Sequence, residues 1–298
     1  MFAALNLVAL SLIRPLGTRQ DALGPVIAKG AKLEVLGTGF SFTEGPAADK
    51  EGNVYFTDQP NDRIMLWHTN GKIEVWLSPS GRSNGMWFDR SGNLIACADE
   101  NNQLWSISKD KKIAVLVRDY QGSLLNGPND VWIRPNGGMY VTDPLYVRSY
   151  WKRDPKSQLD AQHVFYLTPD RKSFRPVAFS FGTPNGIIGT PDGKTLYIGD
   201  LGRSETYRFK IEKDGRLTGG TPFFPLGSDG MTMDERGDIY ISGNGVTVVD
   251  KNGGQIAHID VPEPWVGHVA FGGADHKLLF ITAGDKVFGL KMTVRGAF

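Results

Sequence analysis

One pattern recurs along the chain and constrains its fold more than any other feature. A polar residue stands eight positions before a turn glycine, and a short β-branched or aromatic run follows. The copies begin at Glu44, Asn84, Asn129, Asn185 and Asp229, with turn glycines at Gly52, Gly92, Gly137, Gly193 and Gly237. A looser sixth copy begins at His268. Each copy reads as strand, tight turn, strand, with the glycine supplying the positive φ that the turn needs. The lead residues lie 40, 45, 56, 44 and 39 apart. That is the period of a blade of four short strands, so the expected fold is an all-β, six-bladed β-propeller with four antiparallel strands per blade.

The stretches between copies supply the outer strands. Arg63–Trp67 and Ile73–Leu77 flank Asn70-Gly71, which reads as a type I′ hairpin turn. Gln103–Ile107 and Ala114–Val117 form the next pair. The 56-residue spacing holds an insertion at about residues 145–162, rich in Tyr, Trp, Lys and Arg. Residues 31–298 are therefore read as one propeller domain. The apolar stretch at residues 2–13 is too short to span a bilayer as a helix. Residues 1–30 are read as an N-terminal segment, a remnant of an export signal. This implies an extracytoplasmic location, with the cytoplasm as the alternative.

Composition narrows the function. A formal net charge of +1 provides no global field towards nucleic acid or membrane, and no nucleic-acid motif is present. Cys97 is the single cysteine, which excludes an intramolecular disulfide and a Cys-based zinc site. Gly81-Arg-Ser-Asn-Gly85 matches the nucleophile-elbow pattern, but a strand-like run follows where that motif needs a helix.

In a propeller the innermost strand of each blade lines the channel, so the six lead residues converge on one axis. There they present Glu, Asn, Asn, Asn, Asp and His. Two carboxylates with amide oxygens form a hard oxygen site suited to Ca²⁺ or Mg²⁺. A single Asn-Gly or Asp-Gly is a plain turn; the common phase of several polar anchors is what points to a site.

The carriers Phe42-Thr43-Glu44-Gly45-Pro46, Asn84-Gly85, Asn126-Gly-Pro-Asn-Asp130, Thr142-Asp143-Pro144, Pro184-Asn-Gly186, Ser228-Asp-Gly-Met231 and Ala270-Phe-Gly-Gly273 add a resemblance. Over about residues 31–290 the chain resembles the senescence marker protein/gluconolactonase/luciferin-regenerating family of six-bladed propellers. The resemblance implies one divalent metal ion in the central channel, held by Glu44, Asn129, Asn185 and Asp229. Calcium is the ion expected, with Mg²⁺, Mn²⁺ or Zn²⁺ as alternatives. It also implies that Asp229 is the catalytic base or nucleophile, and a ligand-only role for Asp229 stays open. The regucalcin branch carries an Arg two residues before its channel Asn. Here that place is Gly127, so a small or less polar lactone is expected over a sugar lactone.

The implied activity is metal-dependent hydrolysis of a lactone or related small ester. Two rivals remain: hydrolysis of organophosphate-type esters at the same site, and a non-catalytic propeller that binds calcium or a ligand. Asn84, Asn129, His268 and Tyr146 are the expected substrate-binding residues. Tyr146, Arg148, Tyr150 and Trp151 of the insertion are read as a lid, and Phe42 and Trp265 as walls. The expected partner is a small molecule, and the chain is read as a monomer or dimer.

Overall fold

The computed structural model describes residues 25–177 and 179–298, and these form six four-stranded antiparallel sheets. In blades 1 to 5 the strands follow one another outwards in chain order. Their inner strands are Thr43–Ala48, Ser83–Phe88, Val131–Ile133, Pro184–Gly189 and Met231–Met233. Blade 6 differs. Its inner strand is Val266–Gly272, but its outermost strand is Glu34–Thr38, from the other end of the chain. Glu34 pairs with Gly289 and Thr38 with Lys286. Both ends of the ring thus meet in one sheet, and backbone hydrogen bonds between them close it.

The expected outer strands form at Arg63–Trp67, Ile73–Leu77 and Gln103–Ile107, and Ile113–Val117 begins one residue earlier than expected. The Asn70-Gly71 turn is not type I′. Gly71 has φ +89° and its N–H bonds to the His68 carbonyl, while Asn70 keeps negative φ. The turn therefore needs one left-handed residue where type I′ needs two. The five repeat glycines Gly52, Gly92, Gly137, Gly193 and Gly237 all take positive φ, as their spacing required.

The core lies between blades, where alternate apolar residues of adjacent sheets interdigitate. Trp132 and Tyr140 of blade 3 pack with Ile187, Ile188 and Ile198 of blade 4 and with Met231 of blade 5. Gly189 has no side chain because the Trp132 ring fills that space. Val54 and Phe56 of blade 1 meet Phe280 and Val287 of blade 6 in the same way. Cys97 is one such core residue, fully buried, and burial pushes its thiol well above the usual range. Residues 2–13 lie outside the described residues. Val26 is buried against blade 6, and its carbonyl accepts the Thr293 N–H. Among the described residues no helix is long and apolar enough to cross a membrane.

Candidate active site

The lead residues do reach the axis, and the glycine after most of them explains how. A Cβ on Gly45 would strike the Asn84 carbonyl oxygen of blade 2, and one on Gly230 would strike the His268 ring of blade 6. Gly85 and Gly186 stand equally close to Asn129 of blade 3 and Asp229 of blade 5. Only glycine lets neighbouring inner strands approach this closely. The ladder also skips a step here, between Glu44 and Ala47, Ser83 and Met86, and Pro184 and Ile187. These irregularities turn the lead side chains into the channel mouth.

A cavity of about 180 Å³ opens at that mouth, lined by Phe42, Glu44, Tyr146, Arg148, Asn185, Leu201, Asp229 and Trp265. It gathers four of the expected site residues: Glu44, Tyr146, Asn185 and Asp229. The Asn185 amide donates to Asp229 Oδ1 at 2.8 Å and to the Tyr146 hydroxyl at 3.2 Å. Trp265 Nε1 donates to Asp229 Oδ2 at 2.5 Å. Burial, and then the charge of Asp229, push the Glu44 carboxyl well above the usual carboxylate range. Burial raises Asp229 as well, against the opposing pull of Trp265, His268, Arg148 and Asn185. Burial and then Asp229 raise Tyr146 to about 12, so its hydroxyl keeps its proton near neutrality.

Asn84, Asn129 and His268 are buried but do not line this cavity. His268 is engaged instead by Asp130, a residue that the repeat phase did not single out. His268 Nε2 meets Asp130 Oδ2 at 3.2 Å, and the same oxygen accepts the Ile187 N–H at 3.0 Å. Burial opposes the imidazolium, but Asp130 outweighs it and raises His268 to about 9. Asp130 thus ties blade 3 to blades 4 and 6 inside the channel. A one-residue step in register, from Asn129 to Asp130, separates a mouth position from a strut position. Ser83, of the nucleophile-elbow pattern, is buried and donates to the Ser80 carbonyl.

The donor set fits a hard cation. The buried carboxylate of Glu44 and the half-buried one of Asp229 face one cavity, and Asn185 Oδ1 is buried with no hydrogen-bond partner. Among the described residues no three His, Cys, Asp or Glu side chains converge, so a cation here would rest on Glu44, Asp229, amide oxygen and solvent. Gly267 leaves the room that Glu44 occupies, since a Cβ there would stand 2.6 Å from Glu44 Oε1. Gly267→Ala is therefore expected to displace the Glu44 carboxylate and weaken divalent-cation affinity at least about tenfold, the scale seen when a ligand's support is lost. Calorimetric titration with Ca²⁺ checks this, and wild-type affinity in the variant would contradict it.

Similar proteins carry related names. The gluconolactonase of Zymomonas mobilis is 24% identical over 251 residues, which cover 75% of this chain and 70% of that protein. Lactonase drp35 of Staphylococcus aureus is 26% identical over 238 residues, 76% of this chain; the match spans only 65% of the relative's length. A gluconolactonase structure from Xanthomonas campestris superposes with a TM-score of 0.82 at 27% identity, covering 94% of this chain and 99% of that one. The family model for the SMP-30/Gluconolactonase/LRE-like region matches residues 42–285, a span that holds every wall of the cavity, and the chain belongs to that family.

Proposed function

We propose that this protein hydrolyses the ring ester of a small lactone, with a divalent cation held by Glu44, Asn185 and Asp229. One observation carries the reading: the buried carboxylate of Glu44, the half-buried carboxylate of Asp229 and Asn185, whose amide oxygen is unpartnered, share a cavity of about 180 Å³. That is roughly six times the ~30 Å³ share of one water, which is room for a single small ring. The lactonase names of the relatives favour this reading over phosphoester hydrolysis or simple ligand binding.

When bound, the cation supplies a Lewis acid for the ring carbonyl. The chain does the rest. Trp265 and Asn185 each donate to one oxygen of Asp229 and fix the plane of its carboxylate. A carboxylate has about four lone-pair sites, so Asp229 retains capacity to take a proton from the attacking water. The ring C–O bond then breaks, and Asp229 returns that proton to the leaving oxygen to yield the hydroxy acid. Tyr146 accepts from Asn185 and keeps its own proton to donate to a substrate oxygen. Phe42, Leu201 and Trp265 supply the apolar wall that excludes competing water.

Chelation tests the cation. A ligand at about 100 times its Kd stabilises the native state by about 2.7 kcal/mol. Exhaustive chelation is expected to abolish lactone turnover and lower Tm by roughly 5 °C or more, with both restored by added Ca²⁺. Unchanged turnover and melting after chelation would overturn the role of the ion.

A further inference from the structure

The glycine at position 127 marked a missing cation in the sequence, yet another segment brings one to the cavity. We infer that Arg148, from the insertion in blade 3, is the specificity-determining donor of this pocket, and that it selects polyhydroxylated lactones by hydrogen-bonding their ring hydroxyls. The inference rests on the lactonase reading and names the substrate class within it.

Arg148 lines the cavity beside Glu44 and Asp229. Its Nε is buried and has no hydrogen-bond partner. Asp99 Oδ2 stands 3.8 Å from that nitrogen, an ion-pair distance beyond hydrogen-bond reach. The guanidinium carbon lies 5.2 Å from the centre of the Tyr146 ring, which holds the planar group by its face. Arg148 thus borders the cavity with its Nε left unpaired and its plane held by Tyr146.

Asp99 explains why the cation comes from here. Equivalent aspartates close the second strand of other blades and spend both oxygens, or one oxygen twice, on loop amides. Asp58 accepts from the Ser41 and Phe42 N–H groups, Asp143 from Asn126 and Gly127, and Asp200 from Gly182 and Thr183. Asp58 and Asp200 each also pair with an arginine, but the Asp99 carboxylate takes side chains in place of loop amides: those of Gln59 and Tyr150, with Arg148 and Arg153 at ion-pair distance. Its Oδ1 fills the space where a Gly127 side chain would begin. An Arg at 127 and this Asp99 exclude each other. The insertion is pinned at its base, where the Leu145 N–H bonds Gln162 Oε1 at 2.8 Å, and Arg153 Nη2 bonds the Asn126 carbonyl at 2.5 Å. Three carboxylates, Glu44, Asp99 and Asp229, already act on the Arg148 guanidinium, so neutral hydroxyls suit it better than a further anion. A hydroxylated lactone is thus favoured where Gly127 alone points to a less polar one.

The test compares glucono-δ-lactone with δ-valerolactone in the wild type, Arg148→Met and Arg148→Lys, with melting curves to establish folding. In Arg148→Met the ratio of kcat/KM values, hydroxylated over unsubstituted, is expected to fall about 10- to 100-fold, the scale of lost hydrogen bonds to a charged donor. Arg148→Lys should recover part of it. An unchanged ratio overturns the inference. A second readout needs no turnover: calorimetric binding of gluconolactam against δ-valerolactam. Weaker binding of the hydroxylated lactam alone in Arg148→Met supports Arg148 even if no lactone is hydrolysed, an outcome that would sink only the lactonase reading. Equal loss for both lactams, or none, overturns Arg148.

Discussion

Asp229→Asn is expected to lower kcat for lactone hydrolysis by about 10²-fold or more, because general-base assistance is worth 10²- to 10⁴-fold. The substitution keeps size and fold. Trp265 Nε1 still needs an acceptor, so the new amide oxygen turns to it, and the new amide nitrogen faces Asn185. Asn185 can then rotate its amide and offer Oδ1, the atom now buried without a partner. Charge and basicity are lost while the packing survives. Raising the divalent cation to saturation is expected to leave the rate low. Recovery of the full rate at saturating cation would make Asp229 a ligand without a proton role. Full activity at ordinary cation concentration would place the chemistry elsewhere.

Asp130→Ala is expected to destabilise the fold by about 3–5 kcal/mol, the scale for breaking a buried ion pair by removing one partner. Asp130 Oδ2 serves both His268 Nε2 and the Ile187 N–H, and Oδ1 accepts the Val131 N–H at 2.8 Å. Removing the carboxylate leaves these buried donors unpaired inside the channel. For a chain of this size the loss corresponds to a Tm lower by roughly 6–15 °C. The penalty depends on pH. His268 is raised to about 9, above its ordinary value near 6.5. The stability gained by charging it is fully present below pH 6.5 and is lost as pH rises through about 9. The Tm difference between wild type and variant should therefore be large at pH 6.5 and shrink by pH 10. A difference that stays constant or grows across that range would contradict a charged His268–Asp130 pair.

The sequence by itself determined the blade count and the strand phase. Turn glycines need positive φ, and strands alternate with a period of two, so both features are written locally in each repeat. For the same reason Glu44, Asn185 and Asp229 could be placed at one mouth from their phase alone. Phase could not tell which lead residues share a cavity. Asn84, Asn129 and His268 hold the same repeat position as the others, yet they do not line the cavity, and for His268 the partner is Asp130, which no repeat phase marks. The closure of blade 6 by Glu34–Thr38 was also unread, since an outer strand from the distant end of the chain carries no local mark of its sheet. The insertion shows the limit most plainly. Its Tyr and Arg residues were visible as a biased loop, but irregular backbone has no period from which to compute where a side chain points. Only the tertiary contacts among Asp99, Gly127 and Arg148 decided that the pocket's cation comes from that loop and not from the inner strand.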